Sequence, residues 1–220
     1  MNYFAHALPH LADPQPNAYL LAGVAAPDWL NVTAKKTKCR TRHAQAFFEH
    51  ADPRMTSLAR GVARHHADDA WFHDTRAFNE LSLRFAKQVR DAFGDSSGMR
   101  PWFLGHILVE LLLDDALIAS APHQLDAYYG VMDSLDAEFV ASAIQTMCGR
   151  PVGELAWFID RYRQVRFLAD YSDDQRLLMR LNQVMSRVRL DELPLSFPEL
   201  LPAMRAAVEE RREELTAQPA

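Results

Sequence analysis

The chain has 220 residues, 49% of them apolar and 24% charged, values ordinary for a soluble globular protein. That length suits one core and one domain, 1–220. The net charge of −5, with no basic run beyond Lys35-Lys36-Thr37-Lys38 and the arginines after it, argues against a duplex nucleic-acid binder with a broad positive surface.

Taken in order, the first 55 residues are less regular. A short helix is predicted at 17–24 and a polar loop at 31–41. From 57 to 93 the apolar period is helical, as one long helix or two joined near Thr75. Gly94-Asp95-Ser96-Ser97-Gly98 is a loop by composition. Pro101 opens the next helix, which runs to about Ser120. Further helices are predicted at about 123–149, 152–169, 172–189 and 196–216, the last ending in a charged run. No convincing alternating strand pattern, repeat or Gly-rich phosphate loop is present. The fold class is therefore all-α, a single-domain multi-helix bundle with an interior metal site.

The metal enters through spacing. His65, Asp69 and His73 recur at intervals of four. Each step turns a helical side chain by only about 40°, so the three share one face. His106 and Glu110 repeat the interval on an apolar segment, with Asp114 one turn further. Imidazoles and carboxylates suit zinc, manganese or iron. The same triplet also suits a solvated helix face, but Val62, Ala63, Ala67, Ala70 and Phe72 surround it. Glu110 needs a cation because an unpaired buried carboxylate is costly. That cation is either a metal or an arginine. Asp114 and Asp115 are either partners that orient a histidine or simply residues near the helix end.

The N-terminal set is His6, His10, Asp28 and His43. Gly23-Val24-Ala25-Ala26-Pro27-Asp28-Trp29 reads as a turn presenting Asp28, and a lone aspartate there, taken by itself, favours an N-cap. His50 and His123 fall near loops or helix ends. Cys39 and Cys148 are too few for a disulfide framework. Neither sits in a CxxC pair, and no Gly-x-Ser-x-Gly elbow occurs, so a thiol or serine hydrolase is poorly supported. The start lacks a signal-peptide pattern, and the apolar run 102–113 is too short to span a bilayer. A cytoplasmic protein without a transmembrane segment is expected.

In chain order, His6, Asp28, His43, His65, Asp69, His73, His106 and Glu110 resemble the ligand order of the zinc-dependent phospholipase C and single-strand-specific nuclease superfamily. Asp28 and His43 are fifteen positions apart, and two i, i+4 pairs follow. The strings at 23–28 and 61–73 are similar to those of intracellular relatives, and the likeness covers roughly 1–118. Secreted members use a processed N-terminal amino group as a ligand, whereas this chain keeps Met1. Its histidine after the His-x-x-x-Asp pair comes closer than in those enzymes. The opening Met-Asn-Tyr-Phe-Ala-His-Ala-Leu-Pro-His-Leu is also similar to bacterial acyl-carrier-protein phosphodiesterases. Their Asp-x-x-x-Asp-His string would fall on Glu110, Asp114 and Asp115, so its histidine is missing here.

Both resemblances imply phosphodiester hydrolysis at a metal centre, with one to three zinc ions and manganese or iron as alternatives. The implied substrate is a small phosphodiester or phospholipid-like ester. Asp28 would orient or deprotonate a water, and Arg40, Arg42 or Arg64 would balance charge on the phosphate. The rival is a non-catalytic helical protein with a structural metal or none. The sequence does not specify an oligomeric state.

Overall fold

The computed structural model describes residues 1–94 and 98–218. Residues 95–97 of the loop expected at 94–98 lie outside the described residues. Every regular element among the described residues is helical, as the periodicity predicts. In order these are α1 (Tyr3–Leu11), α2 (Ala18–Thr33), α3 (Thr41–Ala44), α4 (Pro53–Asp74), α5 (Arg76–Phe93), α6 (Pro101–Ser120), α7 (Pro122–Met132), α8 (Ala137–Cys148), α9 (Leu155–Val165), α10 (Asp174–Arg187), α11 (Leu201–Glu210) and α12 (Arg212–Thr216). Short 3₁₀ turns occupy Gln45–Phe47, Phe167–Ser172 and Phe197–Leu200.

The break near Thr75 is real. Thr75 has an extended backbone, and its hydroxyl accepts from the Phe78 N–H at 3.2 Å, which caps α5. Pro101 is the first residue of α6, where its missing N–H costs nothing. The first 55 residues differ from expectation: they carry α1, a long α2 and α3. α2 starts where the short helix was expected, after Asn17, whose side chain caps it by accepting from the Tyr19 and Leu20 N–H groups. It then runs through Pro27 to Thr33, so the expected turn at Asp28 is helix. Proline removes one backbone bond. However, Leu21, Ala22, Val24, Ala25, Ala26, Trp29 and Leu30 are all buried on this helix, and that burial outweighs the loss. The helix expected over 123–149 is two, because Asp136 caps α8 by accepting from the Phe139 N–H at 3.0 Å. The one expected over 152–169 ends at Val165, where Arg166 turns to a positive φ of 49°.

The chain divides into two compact units. One comprises Tyr3–Ala70 and Pro122–Arg166. Its core gathers Phe4, Trp29, Tyr128 and Tyr162, with the Tyr128 and Tyr162 hydroxyls 2.8 Å apart. Here α2 and α4 cross in backbone contact. A Cβ on Gly23 would sit 2.3 Å from Leu58 O, and one on Gly61 would sit 2.3 Å from Leu20 O. Only glycine at both places permits that approach.

The other unit comprises Met1–Asn2, Trp71–Ala121 and Phe167–Ala220. α5 lies along α6, with α11, α12 and the 167–172 turn packed against α6. α6 is apolar nearly all round, with Leu104, Leu108, Val109, Leu112 and Leu113 buried. No helix among the described residues is long and apolar enough to cross a membrane.

Candidate metal centre

Six of the eight candidate ligands fall into two groups among the described residues, one in each unit: His6, His65 and Asp69, then His73, His106 and Glu110. Within each group the ligand atoms lie within 4.8 Å of one another. No group combines His65 and Asp69 with His106 and Glu110.

In the first group α1 supplies His6, and α4 supplies His65 and Asp69 on adjacent turns. The imidazoles of His6 and His65 stack with centroids 4.4 Å apart. His65 Nδ1 lies 2.8 Å from the Val24 carbonyl of α2, a reach made possible by the glycine crossing. A carbonyl only accepts, so Nδ1 carries the proton and donates it. Burial, reinforced by the charge of His6, pulls the pKa of His65 down to about 3, so its ring is neutral. Its Nε2 is then an acceptor, yet it faces Asp69 Oδ2, another acceptor, at 3.4 Å. Two acceptors turned on each other, one on a buried ring and one on a half-buried carboxylate, call for a cation between them.

His6 repeats the pattern. Its Nδ1 lies 3.4 Å from Asp68 Oδ2, and Arg64 Nε holds Asp68 Oδ1 at 2.7 Å. Its Nε2 is 3.3 Å from Asp69 Oδ1 but is buried with no hydrogen-bond partner. Burial depresses the pKa of His6, but the carboxylates of Asp68 and Asp69 overcome this and raise it to about 9. A proton on His6 thus stands where a metal ion could. Both histidines have one nitrogen fixed by an oxygen acceptor and the other directed at Asp69, the arrangement that orients a ligating imidazole.

The second group is more open. His106 and His73 are 41% and 33% exposed at their side chains, against 4% for His65. Glu110 Oε1 lies 2.9 Å from His73 Nε2 and 3.2 Å from His106 Nε2. The Met1 amino group donates to the same oxygen at 2.9 Å. Phe78 packs on both imidazoles, with centroids 4.7 and 4.9 Å away. Burial works against the charge of Glu110, but the Met1 ammonium and the two histidines hold its pKa well below the usual carboxylate range. The cation beside Glu110 is therefore not an arginine.

The other candidates lie outside both groups. Asp28 sits on α2, half-buried, with Oδ1 3.4 Å from the Asn31 amide, and its charge acts on His6. His43 is engaged within its own segment: Nδ1 meets the Arg40 N–H at 3.2 Å, and Nε2 meets Arg42 Nε at 3.3 Å. Arg42 is thus turned on His43, and Arg64 on Asp68. Asp114 is buried and accepts from the Asn2 amide at 2.8 Å. Asp115 is paired with Arg205 of α11. Sequence reasoning passed over two participants, Asp68 and the Met1 amino group. Asp68 had a legible signal, since Arg64 and Asp68 form an i, i+4 pair beside His65 and Asp69.

Comparison with protein families, with curated proteins and with solved structures finds no match for this chain.

Proposed function

We propose that this chain is a metal-dependent phosphodiester hydrolase, a diverged relative of the zinc-dependent phospholipase C and single-strand nuclease superfamily. The observation that carries the reading is the pair of acceptors, Nε2 of the buried His65 and Oδ2 of the half-buried Asp69, facing each other across 3.4 Å. Two histidines and one carboxylate form each group, the ligand composition of open catalytic zinc sites and of some iron sites. His6, His65 and Asp69 would hold one ion, and His73, His106 and Glu110 another. A bound divalent ion supplies Lewis acidity at a phosphoryl oxygen and brings the ionisation of water near neutral pH.

This chain's own residues do the rest. Val24 O and Asp68 fix the imidazole orientations from outside. Asp28, whose charge acts on His6 while Asp68 is held by Arg64, is the carboxylate that would take the proton of the attacking water. Arg64, paired with Asp68 beside the first group, brings positive charge for the phosphate, whereas Arg42 is taken up by His43. The exposure of His73 and His106 suits entry of a small phosphodiester or a phospholipid-like ester. Free thiols at Cys39 and Cys148 suit the reducing cytoplasm.

The test is hydrolysis of bis-p-nitrophenyl phosphate by protein stripped with a chelator and reloaded with zinc or manganese. Activity should vanish on stripping, return on reloading and rise with pH around 7. Asp28→Asn should retain the metal and lose turnover. Activity that survives complete metal removal overturns the mechanism. Metal binding with no hydrolysis of any ester, carrier-protein phosphodiesters included, favours a structural metal instead.

A further inference from the structure

We infer that Cys39 and Cys148 form a reversible intramolecular disulfide, a peroxide-responsive modification site separate from both ligand groups. Both are free thiols in the same unit, 109 positions apart in sequence. Cys39 is fully buried in the segment between α2 and α3, and Cys148 is the half-buried last residue of α8.

Two independent contacts hold their segments together. Thr37 Oγ1, two residues before Cys39, donates to Pro151 O at 2.8 Å, three residues after Cys148. Gly153 comes so close to Thr33 that a Cβ on it would lie 2.4 Å from Thr33 O. Between these clamps the two thiols are near enough for each to act on the ionisation of the other. That interaction, together with burial, raises the pKa of Cys39. The same interaction lowers the pKa of Cys148. The more accessible sulfur is thus the one better disposed to become a thiolate, the nucleophilic form.

The chemistry balances with a peroxide as oxidant. The Cys148 thiolate attacks one peroxide oxygen, the O–O bond breaks, hydroxide leaves, and a sulfenic acid forms on Cys148. Cys39 Sγ then displaces the sulfenic oxygen, forming the S–S bond, and its thiol proton leaves with that hydroxide as water. Two thiols and hydrogen peroxide yield one disulfide and two waters.

The bond would tie the 34–40 segment to the end of α8. Cys39 O also accepts from His66 Nε2 at 2.7 Å, and His66 stands next to His65 on α4. Oxidation therefore acts on a segment that touches the helix carrying the first ligand group.

The test treats the reduced full-length chain with hydrogen peroxide and reads intact mass and non-reduced peptide maps. The expected product is a monomer lighter by two hydrogen atoms, with the Cys39 and Cys148 peptides linked and released by dithiothreitol. Cys148→Ser should remain monomeric and form no link. Because the half-buried Cys148 tolerates serine better than the buried Cys39 does, this variant serves as the folding-safe control. Addition of oxygen to Cys148 while Cys39 stays a free thiol overturns the inference. So does a disulfide between two chains, or two thiols unchanged under peroxide.

Discussion

Gly61→Ala tests whether the glycine crossing builds the proposed metal site at His6, His65 and Asp69. The new Cβ would lie 2.3 Å from Leu20 O, 2.8 Å from Gly23 Cα and 2.9 Å from Val24 N. All three are backbone atoms, so no side chain can swing aside. Ordinary contact begins at 3.4 Å, so α2 and α4 must part by roughly 1 Å, the difference between 3.4 and 2.3. Forced overpacking costs about 1–3 kcal/mol. Parting the helices stretches the 2.8 Å bond from His65 to Val24 O, and losing it adds about 0.5–1.5 kcal/mol. Alanine returns at most about 1 kcal/mol through its better helix propensity. The clash wins, with a net loss near 2 kcal/mol, or about 4–8 °C in Tm for a domain of this size. His65 also loses the acceptor that fixes its tautomer, so metal affinity should fall roughly 10- to 100-fold. Thermal melts with and without zinc, together with competition against a chromogenic chelator, read both effects. An unchanged Tm together with an unchanged affinity would refute the account of how α2 positions His65.

Two further expectations concern charge. The metal-free protein should be most stable near pH 6.5. His6, raised to about 9 when folded, gives stability that is whole below pH 6.5 and disappears as pH rises to 9, on the order of 3 kcal/mol. His65, lowered to about 3, stays neutral when folded while the unfolded chain takes up a proton, so stability also falls from pH 6.5 downward. Melts across this range in a chelator should trace a dome, and a curve still rising through pH 9 would contradict the placement of the His6 proton. Separately, Arg205→Ala should destabilise the fold by about 1–3 kcal/mol, because Asp115 loses its partner, and Asp174 and Tyr171 O lose donors at 2.8 and 2.7 Å. Arg205→Lys should not restore it, since a single ammonium cannot serve three acceptors in that fork. A urea midpoint unmoved by Arg205→Ala would sink this assignment.

The all-α class was legible because the helical period in this chain is long and the helix starts at Asn17 and Pro101 and the break at Thr75 have explicit local chemistry. The long α2 was not, because local chemistry at Pro27 argued for a turn while burial of its flanks, which only the tertiary structure shows, decided for helix. The i, i+4 spacing identified five of the six grouped residues, since helical geometry converts spacing into a shared face. Spacing could not say that His65 and His73, two turns apart on one helix, would enter different groups, because that depends on which helix meets each turn. His6 entered as one of the N-terminal set, and only the resemblance and the ligand order joined it to His65 and Asp69. Asp68 went unnoticed because its role is to hold His6 and Arg64 rather than to face the group. The resemblance also suggested Asp28 and His43 as ligands, and neither falls within the two groups.

The central claim is that these histidines and carboxylates exist to hold a metal. Calorimetric titration of the stripped protein with zinc tests it most directly, in wild type and in His65→Ala, His106→Ala and Glu110→Ala. The account predicts saturable binding in the wild type, with His65→Ala abolishing binding at the first group and the other two abolishing binding at the second. Wild-type protein that takes up no zinc, or variants that bind it as the wild type does, would contradict it.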